Sequence, residues 1–277
     1  MKIGLLHKVI TIPLWTIASL SLATACNASE QWKQQAPGIE YGLFQIKPWT
    51  EMGDGKVHIV RVDPNQVTLK LLLASELDKK NRTTAEWSRD YNLLLAINAG
   101  MFQKDSFTNV GHLRNGAYIQ NRHWNKYRAA FAFSPRKIGL PPAIMVDLDQ
   151  PEAMERLEGY HAVVQNLRLI KGNGINVWAK SDKKWSEAAL GIDREGRILF
   201  LFCRTPFVMW DFIEGIISLG LGIDHLMHLE GGPLASLSVK TREITLDLQG
   251  DFEAIIHPGG INRGQWPIPN VIGVQLK

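Results

Sequence analysis

The apolar residues of this chain come in short runs, each closed off by Gly, Pro, Asn or Asp, and that punctuation limits what it can build. Segments 43–49, 57–62, 67–74, 93–97, 129–133, 143–148, 162–170, 198–203, 226–229 and 237–239 read as strands. Helical spacing is rarer. Thr83-Thr84-Ala85-Glu86 has the spacing of a capping box, with Trp87 and Tyr91 one turn apart behind it. Pro151 opens a short helix with Met154 and Leu157 inward and Gly159 as its stop. Thr205-Pro206 caps a longer one, with Met209, Phe212, Ile213, Ile216 and Ile217 on one face and Gly220 at its end. Strands outnumber helices and do not alternate regularly with them. The pattern predicts a single α+β domain of mixed, largely antiparallel sheets with a few packed helices. A chain of 277 residues, 45% hydrophobic, is long enough to bury the core this requires.

The N-terminus carries an export pattern. Lys2 and Lys8 form a basic region before the mostly apolar stretch 9–22, and Ala23-Thr24-Ala25 supplies the small residues of a signal-peptidase site. A membrane anchor is the alternative, but Thr11, Pro13 and several serines interrupt a run already short for spanning. We expect a signal peptide over 1–25, a polar tether over 26–40 and a folded domain over 41–277. Cys26 directly follows Ala25, as in a bacterial lipobox, whose cysteine is diacylated. The expected location is therefore the periplasm or, through a lipid on Cys26, the outer membrane of a bacterium. Cleavage that leaves Cys26 unmodified is the other outcome. The second cysteine, Cys203, lies next to an apolar run and reads as a buried thiol; two cysteines exclude a disulfide scaffold.

Charge excludes one class of partner. The 31 basic and 27 acidic residues are dispersed, and no block of five like charges occurs, so no nucleic acid is expected. Familiar catalytic motifs are absent: no G-x-S-x-G elbow, no P-loop, no H-E-x-x-H. Gly172-Asn173-Gly174 reads as a turn, and Asp193-Arg194-Glu195-Gly196 as a hairpin turn. His225 and His228, three apart on a strand, should face opposite sides rather than share a metal.

Two strand ends share a more informative pattern. Segment 93–97 ends in Asn98-Ala99-Gly100-Met101-Phe102, and segment 226–229 ends in Glu230-Gly231-Gly232-Pro233. Each delivers a polar side chain into a glycine turn, where bare backbone can approach a ligand closely. His228 and Glu230, two apart, share a face if the strand is regular. Gln165 and Arg168 are embedded in a third apolar run, and Arg204 ends a fourth; such side chains must find partners or face a cavity. For Arg168 the plain alternative is a structural salt bridge.

Taken in order, these segments resemble the phosphodiester glycosidase family, in its bacterial exported subgroup. The resemblance rests on 97–102, on Val110-Gly111-His112-Leu113, on Trp124-Asn125-Lys126-Tyr127 and on 164–168. It continues through 189–193, 196–200 and 229–237 to Trp266-Pro267-Ile268-Pro269-Asn270. The family commonly has Asp where this chain has Glu230. The resemblance implies hydrolysis of a sugar-1-phosphodiester in a glycan or glycoconjugate, with Glu230 as base or nucleophile and Arg168 or Arg204 holding phosphate. Asn98 and His228 complete the expected catalytic set, His228 as a proton carrier. Gly100, Phe102, Gln165, Gly231, Gly232 and Ser236 are expected to line the substrate. No cofactor is implied, and a divalent metal stays open. Two other readings remain: a non-catalytic envelope lipoprotein that binds glycan or protein, its nine tryptophans suited to sugar stacking, and a metal-dependent hydrolase using Asp105, Glu230 and a histidine.

Overall fold

A computed structural model describes residues 31–47, 53–251 and 264–277. The expected signal peptide and Cys26 lie outside the described residues. In chain order the strands are β1 (Lys33–Ala36), β2 (Ile39–Gln45), β3 (Lys56–Val62), β4 (Val67–Leu73), β5 (Leu95–Asn98), β6 (Leu113–Asn115), β7 (Tyr118–Asn121), β8 (Ala129–Pro135) and β9 (Ala143–Asp147). They continue as β10 (Tyr160–Asn166), β11 (Arg168–Lys171), β12 (Ile175–Asn176), β13 (Lys184–Asp193), β14 (Ile198–Val208), β15 (Ile223–Gly231), β16 (Ser236–Lys240), β17 (Thr245–Gln249) and β18 (Asn270–Leu276). Three helices join them: α1 (Thr84–Asp90), α2 (Ala153–Glu158) and α3 (Met209–Ser218).

The strands form three sheets: β1-β2-β3-β14-β13-β15-β11-β12, β7-β6-β10-β8-β9 and β17-β16-β5-β18-β4. Their inner faces meet in one core, which takes Val60 and Phe200 from the first sheet, Phe131 and Val164 from the second, and Ile97 and Val274 from the third. The outer face of each sheet is covered by a helix: Phe212, Ile213 and Ile216 of α3 on the first, Leu157 of α2 on the second, Trp87 of α1 on the third. This is the expected α+β domain, and nearly every strand pair follows from one rule: alternate residues serve the shared core and the helix side. No helix among the described residues is long and apolar enough to cross a membrane.

Local signals succeed where the side chain itself makes the bond. Thr83 Oγ1 accepts from the Glu86 amide while Glu86 accepts from the Thr83 amide, closing the capping box. Asp193 accepts from the Glu195 and Arg197 amides and closes the β13–β14 hairpin. Four expectations are corrected. The tether gives way at Lys33 to an edge strand, because residues 33–36 pair with β2 in spite of their polarity. Thr205-Pro206 does not cap α3; β14 runs on to Val208, and the helix starts at Met209. Met154 is 49% exposed rather than inward, because α2 is too short to bury more than Ala153 and Leu157.

The fourth correction matters most for the site. Segment 162–170 is two strands in two sheets, divided at Leu167. The chain ends β10 at Asn166, whose Nδ2 donates to the Leu229 carbonyl at 3.1 Å and whose Oδ1 accepts from the Leu167 amide at 2.8 Å. It then enters the first sheet as β11 beside β15. Two consecutive polar residues inside an apolar run mark the crossing.

The third sheet is pinned to the chain beyond β15 in the same way. Asn98, 1% exposed, donates to the Leu234 carbonyl at 2.9 Å and accepts from the Ser236 amide at 2.8 Å. Asn98→Ala would leave both partners buried and unpaired. It should lower the free energy of unfolding by about 2–4 kcal/mol, read from the urea midpoint at constant slope.

Candidate active site

β13 and β15 lie side by side, and their ladder is irregular near its end. Ala188 pairs with Glu230 and Ala189 with His228, so Leu229 is an extra residue in β15. The expectation that His228 and Glu230 share a face assumed a regular strand; the bulge interrupts the alternation between them. What the bulge brings together instead is His228 and Glu187. His228 Nδ1 lies 2.7 Å from Glu187 Oε1, and Trp185 Nε1 donates to Glu187 Oε2 at 2.9 Å. Glu187 is 1% exposed and His228 4%.

Glu230 stands two residues further on, 8% exposed, with Oε1 accepting from its neighbour's amide, Gly231 N, at 3.0 Å. Burial pushes its carboxyl up to about 7, since the charged form has lost its water; His228 and the Gly231 amide hold it down, and the Glu187 charge raises it further. Burial likewise raises the Glu187 carboxyl, opposed by His228. Burial pulls the His228 imidazolium down, but the Glu187 carboxylate on its Nδ1, with Glu230 nearby, outweighs it and holds His228 above its ordinary value. The result is a carboxyl half-ionised near neutral pH beside a histidine fixed in orientation by a buried carboxylate, an arrangement suited to moving a proton.

A hollow of about 280 Å³ is lined by Lys126, Tyr127, Leu167, Arg168 and Trp178 among others, and not by Glu187, His228 or Glu230 themselves. Burial raises the Tyr127 phenol, and the Glu230 carboxylate raises it further. Leu167 accepts the His228 amide proton at 3.0 Å, and Trp178 meets Trp185 edge to face at 6.1 Å. Gly231 is required at this corner, because a Cβ there would stand 2.6 Å from the Trp185 ring. At Gly232, with φ +63°, a Cβ would meet nothing within 4 Å, so its side of the turn is open.

The remaining expected site residues take other work. Gln165 accepts from His112 N at 2.9 Å and donates to Tyr127 O at 2.8 Å and Asn125 O at 3.1 Å, so its amide sets the position of Tyr127. Asn98 and Ser236 bind each other and the turn, and both are buried. Gly100, at φ +104°, makes a turn whose Cβ would meet Asn109, and Phe102 packs with the cluster around Trp87. Arg168 Nη1 bonds Asp147 and lies 2.8 Å from Asp149, which is the plain salt-bridge alternative; its Nη2 makes no hydrogen bond among the described residues. Arg204 pairs with Asp251 at 3.2 Å. Asp105 caps its own turn through the Phe107 and Thr108 amides, and His225 pairs with Asp224 rather than with the partner of His228.

Sequence reasoning missed Glu187, Trp185, Tyr127 and Trp178. The signal for Glu187 was present: a carboxylate directly before the apolar run Ala188-Ala189-Leu190 must be paired if buried, the argument already applied to Arg168.

The family model described as phosphodiester glycosidase matches residues 91–275. The fold is similar to the catalytic domain of zebrafish N-acetylglucosamine-1-phosphodiester alpha-N-acetylglucosaminidase, auto-inhibited by its pro-peptide. The TM-score is 0.62 at 13% identity, covering 88% of this chain and 86% of that one. It is also similar to a hypothetical protein from Synechocystis, with a TM-score of 0.59 at 14% identity, covering 87% of this chain and 63% of that one. A comparison with curated proteins finds no match.

Because the folded pKa of Glu230 is raised, its contribution to stability is present below about pH 4.5 and lost as pH rises through about 7. Glu230→Gln removes that cost. The variant's melting temperature relative to the parent should therefore climb between pH 5 and pH 8; a difference that stays flat with pH would deny the buried charge.

Proposed function

Because the chain belongs to the phosphodiester glycosidase family, we propose that it is a hydrolase that cleaves the bond between a sugar's anomeric carbon and a phosphodiester in an envelope glycan or glycoconjugate. The observation that carries this reading is the buried Glu230, held near neutral pKa beside the Glu187-bound His228.

In this reading the sugar ring lies against Trp178, with its anomeric carbon towards Glu230. The phosphate meets Lys126 and the free Nη2 of Arg168, whose Nη1 is anchored by its two aspartates. Water adds to the anomeric carbon as the bond from that carbon to the phosphate oxygen breaks, and its electron pair leaves with the phosphate. Glu230 takes the water's proton, or attacks first and is released by water in a second step. A phosphate monoester leaves readily and asks little of a general acid. His228 relays the proton away from Glu230, and Glu187 fixes its ring, with Nε2 turned from the Glu187 side. Export and a lipid anchor on Cys26 belong to the same proposal and rest on the N-terminal sequence pattern.

The soluble domain incubated with a panel of sugar-1-phosphodiesters should release free reducing sugar. Glu230→Gln should reduce kcat by about a thousandfold or more while the protein stays folded; near-parental turnover would remove Glu230 from the chemistry. The rate should fall as pH drops below about 7, as a base demands. A fall above that pH would make Glu230 a proton donor instead. Glu187→Gln should cost about a hundredfold in kcat with KM little changed, since it loosens and weakens the histidine without touching substrate.

A further inference from the structure

A second and larger hollow, about 520 Å³, shares Arg168 with the first. It is framed by the end of β9, the start of α2 and the β11–β12 hairpin, and Arg168 lines both hollows. Pockets for drug-like molecules are mainly apolar. This one is not: the carboxylates of Asp147, Asp149 and Glu152 face the cations of Arg156, Arg168 and Lys171, and Ile175 supplies an apolar patch. Equal numbers of permanent charges of each sign give no net field to draw in a polyanion. They do give alternating strong donors and acceptors, which suit a neutral ligand rich in hydroxyls.

We propose that this hollow is a subsite for neutral glycan, holding the sugars on the phosphate's other ester arm while the scissile sugar occupies the smaller hollow. The inference rests on the function proposed above and sharpens it by assigning the place where the glycan arm of the substrate is held. Arg168 marks the boundary, where the phosphate lies. The side chains of two lining residues make no hydrogen bond or ion pair among the described residues. Glu152 stands at the N-cap of α2 without a side-chain capping bond, and neither it nor Lys171 has an ion pair among the described residues.

The test therefore uses Glu152→Ala combined with Lys171→Ala, in the full soluble domain. In a Glu230→Gln background, which removes turnover, binding of short neutral oligosaccharides without phosphate is measured by titration calorimetry. The expected result is binding by at least one member, weakened about tenfold or more by the double change and unaffected by excess dextran sulfate. Absence of binding across the panel, affinity indifferent to the double change, or displacement by the sulfated polymer would overturn the subsite. With Glu230 restored, the double change should raise KM about tenfold for an oligosaccharide phosphodiester and leave a single-sugar phosphodiester within about twofold; equal losses on both would also overturn it. Glycan binding without turnover of any phosphodiester would instead sink the proposed hydrolysis and leave the subsite standing.

Discussion

Three sheets can share one core only if something fixes how they meet, and in this chain that work falls to buried amides. Asn166 at the end of the second sheet donates to Leu229 in the first, and Asn98 in the third binds the turn that follows β15. Apolar packing alone is tolerant of sliding, because dispersion and burial have little directional preference. An unpaired amide in a dry interior is costly, so each of these bonds admits one arrangement. Both converge on the segment from Leu229 to Ser236, and Glu230 sits within it. The site is placed by the same contacts that lock the layers.

The electrostatic character of the site follows from that placement. Glu230 and Glu187 are carried into the interior by strands whose neighbours are apolar, so water is removed from two carboxyls at once. Two buried negative charges are tolerated because His228 stands between them, bonded to one and close to the other. The shifted proton affinities are therefore a by-product of architecture: a group that would be an ordinary carboxylate on the surface becomes one able to exchange a proton at neutral pH.

Much of the fold was legible because the signals were local. Apolar runs at 57–62, 67–74 and 129–133 became β3, β4 and β8 nearly as bounded, and Thr83 capped α1 as its spacing demanded. β6, β7, β12 and β17 escaped notice because they are short or exposed, held by their neighbours rather than by their own composition, and the reading also passed over β13 and β18, which are long and largely buried, so shortness does not account for every miss. At the site, Glu230 and His228 could be singled out because glycine and polar residues broke an apolar pattern. Asn98 and Gln165 broke it too, and there the interruption signified structural bonding. A polar residue in an apolar strand reveals that it has partners without revealing whether they are backbone or ligand. Glu187 illustrates the converse, since its partner lies forty-one positions away and is found only through pairing of β13 with β15.

The bulge at Leu229 has an implication for how such a chain can change through descent. The meeting of His228 with Glu187 depends on a count of residues rather than on which residue is inserted, for Leu229 contributes only an apolar side chain to the core. Replacing Leu229 by another aliphatic would preserve the offset, whereas losing a single codon there would rotate everything upstream by half a pleat and part the two side chains at once. The position therefore constrains the number of residues in β15 more tightly than the choice among aliphatic side chains.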